Sequence, residues 1–289
     1  MTQADAEQLS ALARQHLPPA VAGRWTGLLR PCVHLTPVFD GEGPPAARLG
    51  GLPRLPEGVE WPTWEGHGPL AFVGSVDCAV LPSAGLDISL PDDGTLAFFY
   101  FDAGQLDDGG ILLAPEQPEH QAGARVLHIP AEASATERTP PRGLTPYSPV
   151  PLAARARTTA AEPWHPRLHK VFAPEGSAIA QPYEHPVCGD AFNDALWEMD
   201  EMPAHRIGGY ATPDQSPVEF DAAHVVRGSW ADEEKLTEEA CRWILLAQFD
   251  SDECTDMMWG DCGTLFWLMR PDDLAERRFD RALFTWQSN

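Results

Sequence analysis

No apolar run in this 289-residue chain approaches the ~18 to 20 consecutive residues that a membrane-spanning helix needs. The most apolar stretch, Trp243 to Ala247, is far shorter. Cations are scarce: 20 Lys and Arg face 43 Asp and Glu, a formal charge of −23. Such a field repels phosphate backbones and anionic lipid surfaces, so neither nucleic acid nor a membrane is an expected partner. Cysteine is sparse. Cys32, Cys78, Cys188, Cys241, Cys254 and Cys262 form no CxxC pair and no zinc or disulfide spacing, and read as buried small hydrophobes of a reducing compartment. GxSxG, GxxxxGK and GxGxxG are all missing, so no catalytic serine motif, phosphate cradle or cofactor is expected.

What the chain does contain is material for a packed core: 43 % hydrophobic residues, 10 Trp and 12 Phe. The 29 Pro and 24 Gly far exceed the usual combined share of about 12 %, which implies frequent turns and short strands. Helices are expected at Ala4 to His16, around Asp190 to Met199, and at Asp232 to Cys241, where Ser229 or Asp232 supplies a cap. The first of these is amphipathic and carries Asp5, Glu7 and Arg14, so it reads as a surface helix and not a signal peptide. A cytoplasmic protein is the expectation.

One motif set occurs twice. Arg48-Leu49-Gly50-Gly51 recurs as Arg206-Ile207-Gly208-Gly209, and an apolar strand ends at Asp77 in one half and at Asp250 in the other. Gly94-Thr95-Leu96 then matches Gly263-Thr264-Leu265, each opening a second strand of aromatic and branched residues. Four landmarks in one order imply duplication. Continuous apolarity in the second strands implies that both their faces are covered. The fold class is therefore α+β, mainly antiparallel, with two pseudo-symmetric repeats of a β-rich unit and a few helices. Residues 1–30 read as a helix and lead-in, 31–130 as the first half, 131–166 as a Pro-rich connector or edge strands, and 167–289 as the second half.

The stretches GGLPRLPEGVEWP from Gly50 to Pro62, PLAF from Pro69 to Phe72, DDGTLAFFYF from Asp92 to Phe101, LLAQFDSD from Leu245 to Asp252 and MMWGDCGTLFWL from Met257 to Leu268 carry a resemblance. They are similar to the YwqG-like family, a bacterial family of unknown function. The resemblance implies a duplicated α+β fold and brings no catalytic residue, substrate or cofactor. The resemblance also implies that members sometimes stand near toxin and immunity systems, which favours an interaction role. The family carries Gln in both halves where this chain has Ser75 and Gln248.

Three sets of residues are candidate sites. Asp250, Asp252, Asp256 and Asp261 crowd one loop with spacing close to that of a calcium loop, but Cys254 and Thr255 stand where an oxygen ligand and the turn glycine belong. Turn chemistry is the competing reading. His165 and His169 are spaced for zinc on one helical turn, without the Glu of HExxH. Trp61 and Trp259 fall beside equivalent turns of opposite halves, so a cleft between the halves would be walled by both and floored by Asp77, Gln248, Asp250 and Asp261. The functional expectation is an acidic, cytosolic interaction protein that engages a basic protein, in an immunity-like pairing. The alternative is an enzyme or small-ligand binder that uses this cleft, with an optional metal.

Overall fold

The computed structural model describes residues 3–38, 45–82, 85–106, 113–172, 185–199 and 202–288. The chain opens with α1 (Gln3–His16) and α2 (Pro19–Thr26), followed by β1 (Arg30–Pro37). The first half supplies β2 (Ala47–Leu49), β3 (Arg54–Pro56), β4 (Thr63–Trp64), β5 (Gly68–Pro69), β6 (Ala71–Asp77) and β7 (Thr95–Tyr100). After α3 (Ala103–Leu106) come β8 (Ala124–Ile129), β9 (Ala135–Glu137) and β10 (Val150–Thr159). Next are α4 (Pro166–Phe172), α5 (Asp190–Trp197), β11 (Arg206–Gly208), α6 (Val218–Arg227) and α7 (Glu233–Ala240). The chain ends with β12 (Ile244–Asp250), β13 (Thr264–Met269), α8 (Pro271–Ala275) and β14 (Leu283–Gln287). No helix among the described residues is long and apolar enough to cross a membrane.

Ten strands form one sheet in the order β14-β13-β12-β11-β1-β10-β2-β6-β7-β8. The order reads the same from both ends: β2, β6, β7 and β8 of the first half mirror β11, β12, β13 and β14 of the second. Register confirms the duplication residue by residue. Arg48 faces Ser75 as Arg206 faces Gln248, and Asp77 faces Thr95 as Asp250 faces Thr264. Even the irregularity repeats, between Phe72 and Gly74 in β6 and between Leu245 and Ala247 in β12.

Both Gly-Gly turns are left-handed, with φ of +61° and +71° at Gly50 and Gly51 and +69° and +75° at Gly208 and Gly209. Each turn is wrapped by its own arginine, since Arg48 donates to the Leu52 carbonyl and Arg206 to the Tyr210 carbonyl, four residues on in both cases. The Arg-x-Gly-Gly repeat is thus a folding device. A Cβ on Gly50 would lie 2.3 Å from the Ser148 carbonyl oxygen and 2.8 Å from that of Tyr147. Gly50→Ala is expected to lower the unfolding free energy by at least about 2 kcal/mol in urea denaturation, from left-handed strain plus the backbone clash.

The curved, nearly closed sheet wraps one core shared by both halves. Phe98 of β7 meets Phe249 of β12 at 5.1 Å and Trp267 of β13 at 5.2 Å, edge to face. Tyr100 packs on Phe284 of β14 and on Trp259. Such rings contribute roughly 0.5–1.5 kcal/mol per pair beyond the area they bury. The edge strand β14 is sealed by Gln121, whose amide donates to the Phe284 carbonyl and accepts its N–H. On the outer face of the second half, α6 packs Val218 and Ala222 onto Leu245, Phe266 and Leu268. β12 and β13 are therefore buried along their whole length, as their continuous apolarity implies.

Two expectations are corrected. The segment Val150–Thr159, within the stretch read as a Pro-rich connector or edge strands, is the central strand β10 between β1 and β2. Of its arginines, Arg157 meets α1 by pairing with Asp5 at 2.9 Å while Arg155 is exposed, and sequence alternation alone cannot show that contact. Cys254 and Cys262 are exposed, because they sit in turns, whereas Cys32 and Cys78 are buried. The expected helices form as α1, α5 and α7, the last capped by Asp232, whose carboxylate accepts the Lys235 N–H.

Candidate functional site

The acidic loop after β12 is held together by its own carboxylates. Asp250 is 3 % exposed and accepts hydrogen bonds from the Ala204 N–H, from Gln248 Nε2 at 3.0 Å and from Thr264 Oγ1 at 3.1 Å. Gln248 in turn accepts the Thr212 N–H and donates to Thr212 Oγ1. The Asp250 N–H donates to His205 Nδ1, which leaves the ring proton on Nε2 for Asp252, 3.2 Å away. That hydrogen bond and the Cys254 N–H outweigh burial and hold the Asp252 carboxyl below its ordinary value. Asp256 accepts from Ser148 Oγ, and Asp261 is exposed. Asp250, Asp252 and Asp256 thus face different partners, and Asp261 faces solvent. His165 donates from Nε2 to Glu219 at 3.1 Å while its Nδ1 accepts the Arg167 N–H. Among the described residues no three His, Cys, Asp or Glu side chains converge in a metal-binding geometry.

The two tryptophans do not meet in one cleft. Trp61 packs edge to face on Phe99 and donates to the Leu70 carbonyl, within the first half. Trp259 is buried against Tyr100 and Tyr147, because the contact between halves is filled by rings. Instead, the duplication repeats a cavity on each half. Arg48 and Thr95 line a cavity of about 540 Å³ with Ser75 and Asp77, and their equivalents Arg206 and Thr264 line one of about 440 Å³. In the first, Ser75 and Ala97 stand where the second half has Gln248 and Phe266, so small side chains leave that space open. Its remaining wall is mostly Ala and Pro.

The second-half cavity is chemically richer. It lies between α1, α5, the end of β10 and the loop after β11, and its size is typical of ligand pockets. Four of its side chains each carry a polar atom with no hydrogen-bond partner: Thr158 Oγ1, Glu162 Oε1, Asn193 Oδ1 and Arg206 Nε. These atoms have almost no accessible surface, so they belong to the packing behind the cavity wall and not to its surface. Burial, with the charge of Glu219 behind it, pushes the Glu162 carboxyl up to about 8. Burial and the nearby Asp250 also raise Asp214. At the rim stand Trp197 and Met202, 79 % and 67 % exposed.

Residues 47–288 match the family model of a domain of unknown function, DUF1963. The chain belongs to this family. No curated protein matches it. The DUF1963 region takes in both repeats and, of the second cavity, Glu162, Asn193, Trp197 and Arg206; α1 and β1 add Asp5, Cys32 and His34 from outside it. None of Glu162, Asn193 or Trp197 stands out in the sequence, since they come from separate segments with no spacing signal.

Proposed function

We propose that the chain is a binding protein that holds a basic protein partner at the cavity of its second half, in an immunity-like pairing of the kind that resemblance to the YwqG-like family suggests. One observation carries this reading: in a molecule of charge −23, two exposed large apolar side chains, Trp197 and Met202, rim a cavity that also presents Asp194, Asp214 and Glu162. Exposed aromatic and Met side chains beside carboxylates suit a cationic, amphipathic segment, with the apolar contacts giving affinity and the charges giving rate and selectivity. The first-half cavity has one carboxylate, Asp77, and no exposed large apolar side chain on its lining.

The test is native mass spectrometry of the protein purified at low salt from its host, beside the Trp197→Ala and Met202→Ala variants. A stoichiometric basic protein is expected on the wild type, dissociating as NaCl rises, with each rim variant weakening the complex about tenfold or more. Retention that ignores both salt and the rim substitutions contradicts the reading.

A further inference from the structure

The duplicated register sets a quartet of polar side chains on each half. Arg48 stands opposite Ser75 and Asp77 opposite Thr95, as Arg206 stands opposite Gln248 and Asp250 opposite Thr264. Ser75 and Asp77, two residues apart on β6, point to one face of the sheet, and directly opposed residues bring their Cβ atoms within about 5.5 Å. The first-half quartet therefore converges, and all of it lines the first-half cavity. We infer that this quartet binds the primary carboxamide group of a small molecule.

The second half shows the same scaffold with a carboxamide in place, supplied by the chain itself. Gln248 Nε2 donates to Asp250 at 3.0 Å, and Gln248 Oε1 accepts the Thr212 N–H at 3.0 Å. Arg206, Gln248, Asp250 and Thr264 are all buried, so that copy is sealed. In the first half Ser75 removes the carboxamide and leaves the groups that would hold it. Asp77 is exposed there, Arg48, Ser75 and Thr95 are half-buried, and the Asp77 contact with the Ala79 N–H uses Oδ1. Arg54 is the counterpart of Thr212, six residues past the repeated arginine in each half. It lines the same cavity, and beyond the Nη2 hydrogen bond given to the Ala135 carbonyl a guanidinium has further N–H donors for a carbonyl oxygen. A cationic ligand is disfavoured by Arg48 and Arg54, and an anionic one by Asp77. A neutral amide, donor at its nitrogen and acceptor at its oxygen, satisfies both signs. The remaining wall, with Pro130, Ala131 and Ala133, accepts an apolar body, and about 540 Å³ is the size of a small-molecule pocket.

The probe is benzamide, titrated into the isotope-labelled full chain and followed by the backbone amide signals of Ser75, Asp77 and Thr95. Its controls are acetophenone, which lacks the N–H donors, and benzoate, which lacks them and adds a charge. Benzamide is expected to shift these signals saturably, with acetophenone and benzoate at least about tenfold weaker. Ser75→Gln rebuilds the arrangement of Gln248, so it is expected to abolish benzamide binding with the urea midpoint unchanged or raised. Asp77→Ala, at an exposed position, is expected to weaken binding about tenfold or more. An acetylated, amidated tripeptide with a central glutamine separates the two sources of a carboxamide. Weaker binding than benzamide supports a small-molecule ligand, and tighter binding overturns it in favour of a glutamine side chain. Equal binding of benzamide, acetophenone and benzoate, or saturation that survives in Ser75→Gln, overturns the carboxamide assignment, as does the absence of a saturable shift at these residues. None of these outcomes bears on the docking reading, which stands on Trp197 and Met202 at the other cavity.

Discussion

Glu162→Gln is expected to make the protein more stable than the wild type at pH 8 and to leave it nearly unchanged at pH 4. The carboxyl ionises near 4.5 in an unfolded chain and near 8 in the folded one. Between those values the folded state binds the extra proton, so wild-type stability falls as pH rises through the window, and the loss is complete above pH 8. The gap corresponds to an upper bound of about 5 kcal/mol. Residual solvent access to the side chain lowers the expected gain to roughly 2 kcal/mol. Glutamine keeps the shape and removes the charge, so urea midpoints measured from pH 4 to pH 9 should diverge steadily in favour of the variant. A carboxyl that costs the fold stability at neutral pH fits a binding role better than a structural one. Parallel midpoints for variant and wild type across that range would show that Glu162 is not strained by burial.

Asp250→Ala is expected to do the opposite at every pH above the acid range, with a loss on the order of 3 kcal/mol. Its carboxylate is the common acceptor for the Ala204 N–H, Gln248 Nε2 and Thr264 Oγ1, so truncation removes the acceptor of three donors on buried residues. Through the same residue, the backbone N–H fixes His205, and His205 fixes Asp252. Urea denaturation followed by circular dichroism measures the loss. A variant within about 0.5 kcal/mol of the wild type would mean that the network is not holding this corner. Asp77, its counterpart, is exposed and accepts only the Ala79 N–H among its described contacts, so the same duplicated carboxylate is structural in one half and lightly engaged in the other.

The duplication was legible because its landmarks are local. Arg-x-Gly-Gly needs two left-handed residues and an arginine that reaches four residues along, all within one turn, so both copies keep the same letters. The buried strands were legible for a similar reason, since coverage on both faces demands unbroken apolarity in β12 and β13. The position of β10 was not, because its alternating Ala and Arg suit an edge, and its neighbours β1 and β2 are distant in the sequence. α6 was missed altogether: Pro217 precedes it and its apolar face is short, so its helix is fixed by packing on β12 and β13 more than by its own pattern.

For the site, crowded letters mark hydrogen-bonded carboxylates and packed rings. Of Asp250, Asp252 and Asp256, Asp252 accepts a backbone N–H of its own turn, that of Cys254, while Asp250 takes the Ala204 N–H and Asp256 the Ser148 hydroxyl from other segments. Trp61 and Trp259 were paired by symmetry, but each packs on other rings, Trp61 on Phe99 and Trp259 on Tyr100 of the first half and Tyr147 of the connecting stretch. The cavity that does form joins residues from Asp5 to Thr264, and its orphaned atoms are a property of packing that no spacing encodes.

The most direct measurement is site-specific photocrosslinking in the host, with a photoreactive amino acid at position 197 and, as a control, at position 80, where Val80 is exposed on the first half. A single basic protein crosslinked from position 197, absent from position 80 and lost when Glu162 and Asp214 are both neutralised, is the expected result. Equal labelling from both positions, or a crosslink at 197 that survives neutralisation of the cavity, would contradict a docking site at the second-half cavity.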